Sequence, residues 1–434
     1  MPERTPKINV IDAPMGRGKT YQIHRYFNSN PQDRFMFSTP RLTEITRLQK
    51  ACPESNFTEP DQCNSKGSKV HSLTYLINGG GNIATTHAII DRIKPETLTA
   101  MAENGRNINL VIDEVPDCIK EHSVDHQDLL MLLESGSIIV GNGGIVNWNE
   151  TKYNKYSGAF TEIRDMCVNK RLYLYDEKFL IFELHPEFLK LCKSITVLTY
   201  MYEGSIFSSY CKANGIDVVY ADIDGLTGDC EADILGKFKE LITIEGVPTG
   251  RGKMKPLAQA IGKGLSNGWF KTHGREYQKA MKSIAVSFLT KHKLASKEII
   301  WTTRIAERSL LQGKGYTSTE NGKDAEGKPN GNHERYGFLE HTAKATNEYD
   351  NIKGLMYWVN KYPTRRLQRF IKKQGSELNE DLYALSSMIQ WIWRSRIRKG
   401  EPIVILIPSN RMKDLFVRWL NGEFIRTKKL PLAS

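Results

Sequence analysis

The stretch INVIDAPMGRGKT, residues 8–20, decides how this chain begins to fold. Its opening apolar run predicts a buried β-strand. A glycine-rich turn follows, and the Lys-Thr pair after the turn stands where the next helix is expected to begin. A strand, a glycine turn and a helix N-terminus in this order form a cradle for the phosphates of a nucleoside triphosphate.

Each residue type in this turn suits phosphate binding. Gly16 and Gly18 allow the backbone to direct N–H groups at the β-phosphate, and the helix N-terminus adds its positive dipole. Lys19 would reach the β- and γ-phosphates, and Thr20 would hold Mg²⁺. A glycine turn that only joins a strand to a helix stays the alternative. The residues expected to bind the nucleotide are Ala13, Pro14, Met15, Gly16, Arg17, Gly18, Lys19, Thr20 and Tyr21.

A second polar pair follows another apolar run. The segment NLVIDEVPD, residues 109–117, predicts a strand that ends in Asp113 and Glu114. Asp113 would hold the Mg²⁺ through water, and Glu114 would polarise the water that attacks the γ-phosphate. An Asp-Glu pair after a strand is common by itself. Its significance here comes from the glycine turn earlier in the same predicted domain.

Together, the two segments resemble motifs of superfamily 2 helicases. The pattern AxxGxGKT resembles the ATP-binding motif I, in which Ala13 replaces the first glycine of GxxxxGKS/T, and DEVP resembles the DExx motif II. The resemblance is strongest to phage and viral DNA helicases. It implies ATP and Mg²⁺ as cofactors and ATP hydrolysis as the reaction.

Other segments resemble the nucleic-acid motifs of the same family. FSTPRL (residues 37–42) is similar to motif Ia, ATTHA (84–88) to the following strand-end motif, and HTAKATNEYDNIKGLMYW (341–358) to motif V. VLTYMYEGS (197–205) occupies the place of motif III. Hydroxyls, amides and one arginine suit sequence-independent phosphate contacts, although each segment alone equally fits a locally satisfied loop. The resemblance assigns to nucleic acid Thr39, Pro40, Arg41, Thr85, Thr86, His87, Thr346 and Asn347.

The late segment QWIWRSRIRKG resembles motif VI, QxxGRxxR. Gln390 and Arg394 fall on that pattern, Trp393 replaces its glycine, and either Arg396 or Arg398 must serve as its last arginine. A planar guanidinium can bind a γ-phosphate with two hydrogen bonds and neutralise developing charge. A basic, solvated helix face is the alternative. The expected catalytic residues are Lys19, Asp113, Glu114, Gln390, Arg394 and Arg398.

Short β-rich runs alternate with helical patterns along the chain, which predicts an α/β fold with parallel sheets. We expect two RecA-like domains, residues 1–204 and 205–434, with strand 217–220 opening the second and further strands at 298–302, 337–341, 355–359 and 403–407. A β-hairpin insertion at about residues 120–190 would form an antiparallel arm on the first domain, with hairpin strands within 137–148 and 171–184 and a turn of the latter at Asp176, Glu177 and Lys178. This arm is either a structural flap or a device that contacts or splits nucleic acid.

A dense basic cluster lies in the second half. It is formed by Arg365, Arg366, Arg369, Lys372 and Lys373. With Tyr362 and Phe370 interleaved, the cluster could grip phosphates and stack bases. A solvated helix face is the plainer interpretation of such a charge run.

The composition and charge of the chain restrict the classes of protein to which it can belong. The chain has 434 residues and 40% hydrophobic residues, which indicates a globular protein. Its formal net charge of +12 favours a polyanionic partner such as nucleic acid, and a basic surface that only aids solubility is the alternative. The seven cysteines are scattered and never form a CxxC pair, so disulfides and a zinc site are not expected. No apolar run approaches the roughly 20 residues that span a bilayer. We therefore expect a cytoplasmic protein without a membrane partner.

These patterns together predict an ATP-dependent helicase or translocase, an ATP hydrolase that acts on single-stranded or forked nucleic acid. DNA is favoured over RNA because no glutamine motif precedes the first loop. Replication or recombination proteins are candidate partners. The alternatives are a nucleic-acid-stimulated motor that does not unwind, a phosphotransferase of the thymidine-kinase kind, and a binding protein with an inactive ATPase fold.

Overall fold

The computed structural model describes residues 6–63, 67–222, 231–248, 254–316, 337–342 and 348–425. The strands are β1 (Ile8–Asp12), β2 (Arg34–Thr39), β3 (Ile83–Thr86), β4 (Ile108–Asp113), β5 (Ile119–His122), β6 (Ile138–Val140), β7 (Val146–Trp148), β8 (Leu172–Tyr175), β9 (Phe179–Glu183), β10 (Ser194–Thr199), β11 (Val218–Tyr220), β12 (Ile242–Glu245), β13 (Ile299–Thr302), β14 (Gly337–Phe338), β15 (Gly354–Tyr357) and β16 (Ile403–Leu406).

The α-helices are α1 (Lys19–Ser29), α2 (Leu42–Ala51), α3 (Lys69–Gly79), α4 (His87–Ile90), α5 (Pro95–Asn104), α6 (His126–Glu134), α7 (Thr161–Val168), α8 (Pro186–Lys190), α9 (Ile206–Ala213), α10 (Glu231–Leu241), α11 (Met254–Lys263), α12 (Asn267–Lys291), α13 (Arg308–Leu311), α14 (Arg365–Lys373), α15 (Glu380–Ile392) and α16 (Asn410–Leu420).

The chain divides into two compact units. The first comprises Met1–Leu226 with Thr364–Asn379, and the second comprises Thr227–Pro363 with Glu380–Ser434. A parallel six-stranded sheet, in the order β11-β1-β10-β4-β2-β3, forms the centre of the first unit. Successive residues of one strand enter opposite layers of core, as Val10 and Ile11 do. Strands buried on both faces explain the near-continuous apolar runs of the sequence.

Strand β11 lies in the first sheet, contrary to our prediction that it opens the second domain. It pairs in parallel with β1, with Ile8 opposite Val218. The first compact unit consequently extends beyond Gly204 to Leu226. The short VVY run predicts a strand, but nothing within it specifies which sheet the strand joins.

The second unit contains its own parallel sheet, in the order β12-β16-β15-β13-β14. Helix α12 covers this sheet and buries residues such as Met281 and Phe288 against the strand residue Trp301. Strand β12 was missing from the sequence prediction, whereas β13 to β16 lie where apolar runs predicted strands. Among the described residues, no helix combines the length and apolar character needed to cross a bilayer.

An antiparallel arm, Ile119–Glu183, is inserted between β4 and β10. It contains the three-stranded sheet β5-β9-β8 and the hairpin β6-β7. The β8-β9 turn places Asp176 and Glu177 in the left-handed region, with φ of 49° and 56°. The predicted hairpin insertion is therefore present, with its turn at the predicted residues.

Helix α14 belongs to the first unit although it is encoded in the second half of the chain. Its apolar residues Leu367, Phe370 and Ile371 are buried in the core of the first unit. The Phe370 ring lies 5.5 Å from that of Tyr173 and 6.3 Å from that of Tyr175. The expectation that Phe370 stacks on bases was therefore wrong, because its ring is buried against the arm.

Candidate nucleotide-binding site

The glycine turn between β1 and α1 has the backbone that its sequence predicts. Gly16 and Gly18 have φ values of 80° and 74°, in a region that side-chain-bearing residues rarely adopt. Helix α1 begins at Lys19, directly after Gly18. The first-turn N–H groups of a helix have no intrahelical acceptor, so they are available to an anion. Tyr21 lies exposed on this first turn.

Lys19 closes the turn through hydrogen bonds to the backbone. Its ammonium donates hydrogen bonds to the carbonyl oxygens of Ala13 and, at 3.0 Å, Pro14. Burial lowers the pKa of Lys19 to about 8, against the opposing attraction of nearby carboxylates. An ammonium held over a phosphate-binding turn can exchange these carbonyls for phosphate oxygens, which are stronger acceptors.

The two residues predicted to hold Mg²⁺, Thr20 and Asp113, lie next to each other. The Thr20 hydroxyl lies 3.5 Å from Oδ1 of Asp113, which ends β4. Burial, together with the charge of Glu114, raises the pKa of Asp113 to about 7. A hydroxyl beside a carboxylate offers the oxygen donors that Mg²⁺ prefers, and a cation here would favour the ionised carboxylate. The donor set therefore fits Mg²⁺.

Glu114 stands at a sharp turn directly after β4. Its φ of 64° is left-handed, which costs a residue with a side chain on the order of 1–2 kcal/mol. Its backbone N–H donates to the Leu198 carbonyl on the neighbouring strand at 3.0 Å. This pairing holds the turn, and it places Glu114 next to Asp113 at the carboxyl edge of the sheet.

His87 connects two of the predicted motifs inside the protein. Its Nδ1 lies 2.7 Å from the Ser38 hydroxyl, and its Nε2 lies 3.1 Å from both the Asp113 and the Glu114 carbonyl oxygens. Because carbonyls only accept, Nε2 carries the proton and Nδ1 accepts from Ser38. The side chain is buried. His87 was predicted to contact nucleic acid, and the structure places it where it positions the Asp113-Glu114 turn.

We expect His87→Ala to lower the free energy of unfolding by about 1–3 kcal/mol, because it leaves buried hydrogen-bonding groups without a partner. Chemical denaturation of the wild-type chain and the variant measures this change. His71→Ala, at a half-buried position on α3, is the matched control. Unchanged stability with weakened nucleic-acid binding would instead favour the role that the sequence motif predicted.

Asp12 is a site residue that the sequence analysis missed. Its carboxylate accepts hydrogen bonds from the backbone N–H groups of Met201 at 2.7 Å and Tyr202 at 3.1 Å. It thereby ties the end of β1, just before the glycine turn, to the segment that occupies the place of motif III. The sequence feature that could have identified Asp12 is a carboxylate at the end of an apolar strand.

The predicted nucleic-acid residues of the first unit lie at the carboxyl ends of β2 and β3. In the parallel pairing of β2 with β3, Ser38 lies opposite Thr85 and Thr39 lies opposite Thr86. The side chains of Thr39 and Thr85 are fully buried, so their hydroxyls do not reach the surface. Pro40 and Arg41 follow as half-buried residues. Thr346 and Asn347 lie outside the described residues.

The predicted motif VI residues lie at the end of α15 and in the turn after it. Gln390 is half-buried, Arg394 is buried and Arg398 is exposed. Arg396 is held by its own turn, since its Nε donates to the Pro402 carbonyl at 2.6 Å and its guanidinium lies 3.8 Å from Glu401. Trp393 occupies the position where the motif has glycine. Its ring centroid lies 5.4 Å from that of Phe238. Arg398 is therefore the more accessible of the two alternatives for the last arginine.

Comparison with solved structures identifies the class to which this fold belongs. An apo-XPD structure matches with a TM-score of 0.54 at 10% identity and covers 96% of this chain and 95% of that chain. The structure of S. tokodaii Xpd4 has a TM-score of 0.52 at 11% identity, covering 95% and 94%. An XPD helicase structure has a TM-score of 0.51 at 11% identity, covering 97% and 95%. The chain therefore shares the fold of these structures, an α/β fold with two RecA-like units, as its sequence predicted.

Sequence comparison identifies the family. The SPbeta prophage-derived protein YonV of Bacillus subtilis (strain 168) is 30% identical over 429 residues, which is 96% of this chain and 99% of that protein. Residues 119–182 match the YonV middle domain, and residues 236–420 match the YonV C-terminal Rossmann-like domain. The chain belongs to the YonV family. The matched middle domain coincides with the arm, and the prophage origin of the relative agrees with the expected phage-like character.

Proposed function

We propose that the chain is an ATP-dependent nucleic-acid motor, a helicase or translocase with DNA as the favoured substrate. The observation that supports this most is the arrangement at the carboxyl edge of the first sheet. There the Lys19 ammonium, the Thr20 hydroxyl and the Asp113 carboxylate surround the turn at the start of α1. A lysine ammonium, a hydroxyl and a carboxylate at a helix N-terminus are the groups that phosphoryl transfer in nucleotide-hydrolysing proteins uses.

In this proposal each side chain of the first unit has a separate task. Lys19 binds the β- and γ-phosphates and neutralises charge that develops as the γ-phosphoryl group leaves. Thr20 and Asp113 would hold Mg²⁺, which would supply positive charge that neutralises the phosphates when bound. Glu114 orients the attacking water and accepts its proton. The hydrogen bonds made by Asp12 and His87 hold the surrounding turns in place.

The second unit has a task that rests on the motif VI resemblance alone. Arg394, together with Arg398, is proposed to stabilise charge on the γ-phosphate during hydrolysis. Gln390 would assist them. Cycles of ATP binding and hydrolysis would then change the conformation of the chain and move it along a strand.

Nucleic acid is the proposed partner because the net charge of +12 favours a polyanion. Pro40 and Arg41 after β2, and Thr346 and Asn347 by the motif V resemblance, are the proposed contacts, whereas Thr39, Thr85 and His87 are buried and are not among them. Replication or recombination proteins are proposed as further partners. The cytoplasmic location expected from the sequence stays a prediction.

We expect the wild-type chain with ATP and Mg²⁺ to displace the labelled strand of a forked DNA duplex. Displacement should weaken as salt rises from about 50 to about 200 mM, because phosphate contacts depend steeply on salt. A gel assay with forked DNA and forked RNA, each with and without ATP, measures this. ATP hydrolysis that single strands stimulate, without displacement on either fork, would identify a translocating motor that does not unwind. Hydrolysis indifferent to both nucleic acids would contradict the proposal and favour a phosphotransferase.

A further inference from the structure

The outer face of α14 is strongly basic. The helix RRLQRFIKK contains five cations and no acid, and all five side chains are exposed. At about 100° per residue, these cations cover an arc of about 120°. The apolar residues of the helix lie outside this arc and are buried in the first unit. The helix therefore presents one continuous cationic face to solvent.

The described residues neutralise only part of this charge. Arg366 lies 3.0 Å from Glu121 and stacks over the Phe179 ring at 3.3 Å. Arg369 lies 3.9 Å from Asp176, and both side chains are at least half exposed, so the pair contributes little. Among the described residues, Arg365, Lys372 and Lys373 form no ion pair. A helix that keeps most of its cations unneutralised is suited to an external polyanion.

A cavity of about 470 Å³ opens beside the first turn of α14. It is lined by residues of the arm, among them Lys178 and Glu121, and by Arg366 of the helix, which pairs with Glu121. Helix and cavity belong to the same compact unit as the glycine turn. The unneutralised positive charge is therefore concentrated on the helix itself.

We propose that the outer face of α14 is a nucleic-acid-binding surface, separate from the helicase-like motifs, whose ligand is the phosphate backbone of a single strand. Arginine and lysine side chains on a helix about 14 Å long can contact several successive phosphates. A membrane does not fit this surface. A basic amphipathic helix enters a membrane by its apolar face, and here that face is buried in the protein.

This inference rests on the proposed function, since both require nucleic acid as a ligand. The test compares the wild-type chain with the variant R365Q/R369Q/K372Q/K373Q, which retains the Arg366 contacts. The matched control is K7Q/R25Q/R47Q/K50Q. These four exposed cations lie before β1 or in the later turns of α1 and α2, away from the carboxyl edge of the sheet. Both variants lose the same formal charge.

Binding of labelled oligo-dT is measured by fluorescence anisotropy without nucleotide, from about 50 to about 200 mM salt. We expect the α14 variant to bind about 10- to 100-fold more weakly than the control. The slope of log binding constant against log salt concentration should be smaller by about 2–3 units, because each lost phosphate contact removes about 0.7 units. Circular dichroism and thermal unfolding of both variants verify that the helix remains folded.

Equal affinity and equal salt slope in the two folded variants would overturn the inference and leave the proposed function intact. Such a result would favour an acidic protein as the occupant of α14. Failure of the wild-type chain to bind any oligonucleotide would overturn the proposed function together with the inference. The two failures are therefore distinguishable in one experiment.

Discussion

Replacing Lys19 with alanine is expected to reduce ATP hydrolysis by about 100- to 1000-fold, the usual cost of losing one transition-state charge contact. The ammonium donates hydrogen bonds to carbonyl oxygens of the glycine turn, where the phosphates are proposed to bind. Its loss removes one of the positive charges proposed to neutralise the charge that develops on the β- and γ-phosphates. Phosphate release from ATP by purified wild-type and variant chains measures the effect.

Lys50→Ala is the matched control for this change, because Lys50 is an exposed lysine in the last turn of α2. We expect this variant to hydrolyse ATP at the wild-type rate. Thermal unfolding verifies that the Lys19 variant is folded. Hydrolysis by a folded Lys19→Ala chain at more than about one tenth of the wild-type rate would show that the reaction occurs elsewhere.

Glu114→Gln is expected to separate binding from hydrolysis. Glutamine keeps the size and shape of glutamate in the left-handed turn, but it cannot accept the proton of the attacking water. We therefore expect hydrolysis to fall by about 100-fold or more, within the range that general-base catalysis contributes. The affinity for ATP should stay within a few-fold of the wild-type value. Fluorescent-nucleotide titration and phosphate release measure the two quantities.

Glu103→Gln removes a carboxylate from an exposed position in α5 and is the control for the charge change. It should leave both binding and hydrolysis unaltered. Parallel loss of ATP affinity and turnover in Glu114→Gln would argue that Glu114 supports the fold of the turn. Wild-type turnover in that variant would exclude Glu114 as the base.

The sequence predicted those features that are encoded locally. The apolar runs of β1, β2, β4 and β10 mark buried parallel strands, and their polar ends mark the carboxyl edge. The β8-β9 hairpin was predicted because its turn residues separate two apolar runs. The order of the motifs predicted one site that contains Lys19, Thr20, Asp113 and Glu114. The structure brings these residues to one edge of the first sheet.

Features that depend on distant contacts were missed. Nothing local to Val218–Tyr220 shows that it pairs with β1. Likewise, the apolar stripe of α14 predicts a buried face without naming the unit that buries it. The links made by Asp12 and His87 join residues far apart in the chain, so no single motif contains them. These pairings and contacts depend on tertiary structure, which a single sequence does not specify.

The central claim is that the first unit hydrolyses ATP and that nucleic acid stimulates this reaction. Its most direct test is the initial rate of phosphate release from Mg²⁺-ATP by the wild-type chain, measured without and with saturating single-stranded DNA, beside Glu114→Gln. We expect a clear rise in the wild-type rate when DNA is added and a rate near background for the variant in both conditions. A wild-type rate equal to that of Glu114→Gln, with or without DNA, would contradict it.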